Sequence, residues 1–316
     1  MYIEFGPKWN SGYMDEFARK LNSEIRDNVL YLPSRFGQGY AKRIDIDSDL
    51  RVIIHSYNLK EPITFNRVAT NTNKDSITFR FICYLEQDKN YLSNVQVLND
   101  TIDVKDELSA NTPFCNVIVK IKLKKLLSII NIGPKSKEFA AFTDNLNRPF
   151  IYQENVTLGM KEILRELYEN KEHGKLEKLY YKIKIMDLMY HFFIRFSRRA
   201  SNDSIHFNKN DIEKILSIEK IILNDLSIPP TLNGLAHSIG MSETKMKQLF
   251  KKVFGDSIYN YYLSARINEA ASLLKSDKSM TIADVGYALG FSNLSHFSKL
   301  FKRYTGKNPK EYAMRK

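Results

Sequence analysis

The stretch IADVGYALGFSNLSHFSKLFKRYTGKNPKEY, from Ile282 to Tyr312, decides what kind of domain closes this chain. Thr281 with Asp284 reads as a capping box, Val285 and Leu289 face inward, Gly290 breaks the helix, and Ser292 or Asn293 starts a longer one. Glycine suits that break because a tight helix stop puts one residue in the left-handed conformation. The same grammar precedes it in TLNGLAHSIGMSETKMKQLFKKVFG, from Thr231 to Gly255. Gly240 matches Gly290 at an offset of 50, whereas Leu249, Phe250 and Gly255 match Leu300, Phe301 and Gly306 at an offset of 51. The second turn therefore holds one extra residue. A connecting helix is expected from about Ser257 to Lys275. Before the repeat, Ile212, Ile215, Leu216, Glu219, Ile222, Leu223 and Leu226 trace an amphipathic helix stopped by Pro229-Pro230.

The repeat predicts which side chains face outward. With Met246, Leu249, Phe250 and Val253 buried, the opposite face of the first long helix carries Thr244, Lys247, Gln248 and Lys251. Their equivalents are Ser295, Ser298, Lys299 and Lys302, with Leu294 and Arg303 beside them. Both faces are polar and free of acid, Glu243 being the nearby exception. A helix fits the major groove of DNA, where Lys and Gln read guanine and adenine edges and hydroxyls serve bases or phosphates. A connecting helix of roughly 19 residues at ~1.5 Å rise spans ~28 Å, close to the ~34 Å of one turn of DNA. One such face alone reads as an ordinary solvated surface; two in the same register after glycine turns argue for recognition. His296, beside Phe297, packs or meets a phosphate rather than reading a base, and His237 is a surface residue.

At these residues the sequence resembles the AraC/XylS family of bacterial transcription regulators. The resemblance rests on Leu235-Ala236 through Gly240-Met241-Ser242, Leu249-Phe250-Lys251 to Gly255, Arg266 with Ala270, and the stretch from Ile282 to Tyr312. It implies two helix-turn-helix units joined by a linker helix, asymmetric promoter sites on double-stranded DNA, and recruitment of RNA polymerase as an activator. Carried over by position, base-reading places fall on Thr244, Lys247 and Gln248, then on Leu294, Ser295, Ser298 and Lys299. Leu294 departs from the usual polar residue and Ser295 is short, so the first unit is expected to supply more of the specificity. Leu294 would use a thymine methyl, Lys299 and Lys302 phosphates. The resemblance also implies a cupin-like amino-terminal sensor and a helical dimerisation region.

Upstream, the texture changes to strands. A short helix around Met14 to Ile25 is expected, and then Arg43 to Asp47, Leu50 to Tyr57, Ile63 to Val68 and Ser76 to Leu85 form β-branched and aromatic runs between turn signals, the spacing of an antiparallel sheet or small barrel. Val117, Val119, Ile121 and Leu123 alternate with Lys120, Lys122 and Lys124, which reads as a strand with a solvated lysine row. From about Thr157 the period turns helical, through Met160, Ile163, Leu164 and Leu167. A second helix, Leu176 to Arg198, is apolar on more than one side, so it lies between sheet and helices or forms a subunit interface. Ala200 to Asn210 reads as a linker. The expected layout is α+β: a β-rich cupin-like sensor over 1–155, a helical dimerisation and linker region over 156–205, and an all-α double helix-turn-helix domain over 206–316.

Composition excludes several classes. With 316 residues, a net charge of +12 and 43% hydrophobic residues, the chain has material for two cores and is not a disordered polymer. The charge favours a polyanionic partner. From Asn210 onward the balance is 16 basic to 10 acidic residues, before it 32 to 26, so each part carries +6 although the second is half as long. No apolar run is long enough to span a membrane, and Met1 to Asn10 lacks a signal-peptide pattern, so a cytoplasmic, nucleoid-associated protein is expected. Cys83 and Cys115 are too few for a disulfide framework, a four-thiolate zinc site or a methyl-accepting zinc thiolate. His55 is the only histidine before His173, which argues against a metal cupin. No phosphate loop, nucleophile elbow or dinucleotide fingerprint is present, so neither cofactor nor enzymatic activity is expected. A pocket lined by Val52, Ile54, Phe65, Phe79 and Phe81 is the expected place for a small apolar or aromatic effector, unless these residues fill the domain's own core. Two functions stay open: an effector-responsive, homodimeric activator, or a constitutive regulator whose first domain only dimerises or docks a protein partner.

Overall fold

The computed structural model describes residues 1–6, 13–69, 75–84, 93–131, 149–169, 174–199, 209–276 and 279–314. The chain divides into two compact units, one of Met1–Leu85 with Ser93–Lys209 and one built on Asn210–Lys316. The first is β-rich with added helices and the second is all-α. Most of the expected linker, residues 200–208, lies outside the described residues.

Among the described residues ten strands form two sheets in the first unit: β1 Tyr2–Phe5, β2 Val29–Tyr31, β3 Gly37–Asp47, β4 Leu50–Leu59, β5 Ile63–Arg67, β6 Ser76–Tyr84, β7 Asn94–Asn99, β8 Val104–Leu108, β9 Phe114–Lys122 and β10 Ile151–Asn155. A seven-stranded antiparallel sheet runs β10-β7-β6-β9-β4-β3-β2, and a three-stranded sheet runs β1-β5-β8 with β1 parallel to β5. β3 begins at Gly37, well before the expected Arg43. A Cβ on Gly37 would lie 2.2 Å from the Asn58 carbonyl oxygen, and one on Gly39 2.0 Å from that of Ser56. The glycines therefore let β3 close onto β4 where a side chain would obstruct it.

Among the described residues the unit also has helices α1 Tyr13–Leu21, α2 Leu123–Ile130, α3 Leu158–Tyr168 and α4 Glu177–Arg199. The expected strand over Val117 to Leu123 ends at Lys122, because Leu123 opens α2. The 156–205 segment contributes α3 and α4 to the same core as the sheet: Val52, Phe79, Val97 and Val119 pack with Met160, Leu164, Leu188 and Phe192. Phe79 meets Phe192 edge to face, the ring centroids being 5.4 Å apart. A second cluster, including Phe17, Tyr57, Phe65, Leu108 and Phe114, lies on the other side of the large sheet and joins it to the small one.

The lysine row on β9 is not a uniformly solvated face. Lys122 is half-buried beside Asp49, and the Lys120 side chain is only 12% exposed, its Nζ lying 2.9 Å from Asp100. Asp100 is fully buried and also accepts from Arg67 Nη1 at 3.1 Å and Ser76 Oγ at 3.0 Å. Neighbouring strands bring those partners together, so the burial of one carboxylate is offset by two cations and a hydroxyl. Asp100→Ala leaves both cations without it and is expected to cost about 3–5 kcal/mol in urea unfolding. A loss below ~1 kcal/mol would show that Asp100 does not hold this cluster.

Candidate nucleic-acid interface

The second unit contains α5 Lys209–Asn224, α6 Leu232–Ser238, α7 Glu243–Phe254, α8 Ile258–Ser276, α9 Ile282–Ala288, α10 Leu294–Thr305 and α11 Pro309–Ala313. The repeat is visible residue by residue. Thr231 caps α6 through its hydroxyl, which accepts from the Gly234 N–H at 3.2 Å, and Thr281 caps α9 in a reciprocal capping box with Asp284. Each short helix then stops in the same way. The Gly240 N–H donates to the His237 oxygen at 3.1 Å and the Met241 N–H to Ala236; the Gly290 N–H donates to Tyr287 at 2.8 Å and the Phe291 N–H to Gly286. Four residues separate α6 from α7 and five separate α9 from α10, which is the expected extra residue. Of the two residues expected to start the last long helix, Asn293 caps it, its Oδ1 accepting from the His296 N–H at 3.0 Å.

The two glycine turns differ in what surrounds them. Both glycines have positive φ, 57° at Gly240 and 75° at Gly290. A Cβ on Gly240 would meet nothing closer than Lys214 Nζ at 3.9 Å, whereas one on Gly290 would lie 2.0 Å from the Ser227 carbonyl oxygen. The segment that precedes the repeat therefore passes against the second turn and leaves no room for a side chain.

The register places the proposed reading residues on the outside. Met246, Leu249, Phe250 and Val253 of α7 are buried, as are Phe297, Leu300 and Phe301 of α10. Thr244, Lys247, Gln248 and Lys251 are all exposed on α7; Ser295, Lys299, Lys302 and Arg303 are exposed on α10, with Ser298 half-buried. Leu294 is also half-buried, and its Cδ2 lies 2.7 Å from where a Cβ on Gly286 would be. It packs over the glycine of its own supporting helix, so part of its methyl surface is already used. His296 and His237 are both exposed. Lys247 Nζ lies 3.9 Å from Glu243, an exposed pair one helical turn apart and of little energetic weight. Lys245 instead turns back to Asp211 at 2.9 Å and ties α7 to α5.

The face reading did not include Arg266, which positions the second half of the repeat. It sits on α8, whose 19 residues match the expected connecting helix. Arg266 is 5% exposed, its Nη2 donates to the Leu289 carbonyl, and its guanidinium lies 3.8 Å from the Phe291 ring centroid and 5.1 Å from that of Tyr262. Burial lowers its pKa, the cost of holding a cation in an aromatic cage. One side chain thus fixes the connecting helix to the turn that aims α10. An Arg on an otherwise apolar helix face is the signal for it in the sequence.

The first unit holds a cavity of about 120 Å³ between its two sheets. Only Phe65 of the five expected effector-binding residues lines it. Val52, Ile54, Phe79 and Phe81 are fully buried on the opposite face, against α3 and α4. The reason is strand alternation: residues of the other parity, among them Arg51, Ile53, Arg80, Asn116, Ile118 and Lys120, point into the cavity. Among the described residues no group of three or more His, Cys, Asp or Glu is arranged to hold a metal ion, and no helix is long and apolar enough to cross a membrane.

Residues 235–315 match a helix-turn-helix domain family. The chain is 32% identical over 95 residues to the Msm operon regulatory protein of Streptococcus mutans, covering 30% of this chain and 34% of that protein. It is 34% identical over 98 residues to the HTH-type transcriptional regulator GbdR of Pseudomonas aeruginosa, covering 31% of this chain and 26% of that one. The chain thus spans about a third or less of the length of these curated relatives. A crystal structure of a regulator with an AraC-type DNA-binding domain from Chromobacterium violaceum shares 28% identity, covers 34% of this chain and 94% of its own, and has a TM-score of 0.31.

The unlike surroundings of the two turns have a measurable consequence. Gly240→Ala should cost roughly 1–2 kcal/mol, the strain of a left-handed alanine, whereas Gly290→Ala must also displace the Ser227 backbone and should cost several times more. Thermal unfolding of the full chain, followed through the carboxy-terminal unit, checks this. Equal losses would show that the approach of Ser227 does not constrain Gly290.

Proposed function

We propose that this chain, whose residues 235–315 match a helix-turn-helix domain, is a sequence-specific, double-stranded DNA-binding transcription regulator of the AraC type. The observation that carries this reading is the repeated face. Thr244, Lys247, Gln248 and Lys251 on α7 and Ser295, Ser298, Lys299, Lys302 and Arg303 on α10 stand opposite buried stripes in matching register. In this reading α7 and α10 enter successive major grooves, with Lys247 and Gln248 reading base edges and Lys299, Lys302 and Arg303 holding phosphates. Leu294 and Ser295 leave the second unit with fewer base contacts than the first. The first unit senses a small effector and passes its occupancy to DNA affinity through linkage, with RNA polymerase as the partner of the activated complex. The sites of action are the cytoplasm and nucleoid.

A second reading, in which the first unit also or only dimerises, is favoured by an exposed apolar stripe. Leu179, Ile183 and Tyr190, 54%, 57% and 61% exposed, are spaced four and seven residues apart along α4, as on a coiled-coil seam, and Leu176, 67% exposed, lies in the turn just before the helix. The opposite face of α4 is already used in the core. Two copies joined along this stripe give an isologous contact. Ile183→Asp should convert a dimer to a monomer in sedimentation equilibrium while leaving thermal unfolding nearly unchanged; a wild-type chain that is monomeric at all concentrations tested would remove this interface.

Selection from a random DNA pool followed by titration tests the main reading. Enrichment of two short elements about one helical turn apart is expected. Gln248→Ala should cost about 1–3 kcal/mol on the selected site and relax base preference, whereas Lys302→Ala should weaken selected and scrambled DNA alike and reduce the salt slope by about one. Equal losses on both DNAs for Gln248→Ala would sink the assignment of that residue to base reading.

A further inference from the structure

In the second unit the two halves of the repeat are joined once by chain, through α8, and a second time by contact. A single 19-residue rod between two small bodies leaves the far one free to tilt about its end. The second connection is the stretch 225–230, which leaves α5 and runs to Thr231, the cap of α6 in the first half. On its way it lies against the turn of the second half. A Cβ on Gly290 would be 2.0 Å from the Ser227 carbonyl oxygen, 2.9 Å from its carbonyl carbon and 3.1 Å from its Cα, so backbone meets backbone there with no side chain between.

That stretch is stiff. Ser227 donates to Asp225 Oδ1 through its N–H at 2.8 Å and through its hydroxyl at 2.6 Å, which closes an Asx turn. Pro229 and Pro230 then fix φ at two successive positions just before α6. Upstream, α5 is tied to α7 by Asp211 and Lys245 at 2.9 Å, and to α8 by the Tyr261 hydroxyl, which donates to Glu219. The strut thus begins on the first half, touches the second and returns to the first.

Its grip on the second half passes through buried side chains in a row. The Tyr262 hydroxyl donates to the Leu226 carbonyl oxygen at 3.0 Å. The Tyr262 ring centroid lies 5.1 Å from the Arg266 guanidinium, which in turn sits 3.8 Å from the Phe291 ring centroid and donates to the Leu289 carbonyl. From strut to turn there runs one enclosed path of hydrogen bond, stacked cation and hydrogen bond. At the first turn the corresponding contact is long and exposed, from Lys214 Nζ to the Gly240 carbonyl oxygen at 3.5 Å.

We propose that Tyr262 and Arg266 are positioning residues that fix the distance and angle between α7 and α10, and so make the spacing between two DNA elements a determinant of specificity in its own right. This role rests on the DNA-reading function given above and adds a constraint that the exposed faces of α7 and α10 do not supply. Moving one element by two base pairs shifts it by about 7 Å along the duplex and turns it by roughly 70° about the axis, at ~34 Å and about 10 base pairs per turn. An α10 held by both α8 and the strut cannot follow such a move. One held by α8 alone follows part of the way and distinguishes spacings less sharply.

The test uses the full chain and duplexes carrying the element pair that the wild type selects, at the selected spacing and with two base pairs inserted or removed, together with duplexes carrying either element alone, titrated at low salt. The wild type should prefer the selected spacing by about thirtyfold or more, the equivalent of one or two lost base contacts. Arg266→Met and Tyr262→Phe should lower that ratio to roughly fivefold or less while leaving binding to each single element within about twofold, since no base-reading side chain is changed. A role in stability alone lowers the unfolding temperature and weakens every duplex alike, with the ratio unchanged. That outcome overturns the proposal, as does loss of binding to the single element read by α10. Should either variant fail to fold, Pro229→Ala with Pro230→Ala relaxes the strut at positions outside the core and should lower the same ratio; an unchanged ratio again overturns the proposal. If the wild type enriches no pair of elements, the DNA-reading function itself fails. A wild type that enriches a pair but accepts all three spacings equally leaves that function standing and removes the positioning role.

Discussion

A strand shows its side chains alternately to two faces, and that parity is what divides core from cavity in the first unit. On β4, β6 and β9 one parity places Val52, Ile54, Phe79, Phe81, Val117 and Val119 against α3 and α4, where all are buried. The other parity of the same strands supplies Arg51, His55, Arg80, Asn116 and Lys120 to the opposite face. A sheet covered on both sides ordinarily reads as a continuous apolar run. Here one covering layer is helical and dry while the other is a three-stranded sheet that leaves room. Several cations of that face are therefore largely withdrawn from solvent, and Asp100, fully buried between Arg67 and Lys120, becomes the point on which the arrangement turns.

The same alternation explains what was legible in the sequence. The positions of β4, β5, β6 and β9 and the second half of β3 were readable because turn signals and β-branched runs are local, as were the capped helices of the second unit, whose glycine, Thr and Asn signals act within four residues; the shorter β1, β2, β7, β8 and β10 were not read. The offset of 50 changing to 51 foretold the extra residue between α9 and α10. What the sequence did not disclose is which face of a strand meets which neighbour, since that depends on a second sheet assembled from β1, β5 and β8, far apart along the chain. The large apolar residues Val52, Ile54, Phe79 and Phe81 drew attention to the face that turned out to be packed. The Lys120 row looked solvated for a related reason: nothing near it in sequence announces Asp100 as its partner. Likewise, Gly37 and Gly39 read as an interruption before the strands, and only their closeness to the Asn58 and Ser56 carbonyls makes them part of β3.

In the second unit the two halves of the repeat share a plan but not the same support. The first turn stands open around Gly240. The second is held from two sides, by the Ser227 backbone against Gly290 and by Arg266 between Tyr262 and Phe291. Leu294 adds a further contact over Gly286. The half with fewer polar groups to offer bases is thus the more rigidly fixed. Such a division suits a helix whose contribution is to set register on phosphates, because a fixed distance from the first helix then matters more than the chemistry of its tip.

Energetic scale limits what an effector in the first unit can accomplish in this scheme. Occupancy at a hundred times the dissociation constant stabilises the liganded form by about 2.7 kcal/mol, but only the difference in affinity between two arrangements of the chain is passed to DNA. Couplings of that kind run to about 1–3 kcal/mol, the same as one good bidentate contact to a base. An effector is therefore equivalent to gaining or losing one base contact. At a promoter element that satisfies both reading helices well, such a change leaves occupancy near saturation. At one that matches α7 and only partly matches α10, it moves occupancy across its midpoint. On the proposed reading, regulation by the amino-terminal unit would act most strongly on sites where α10 contributes few base contacts.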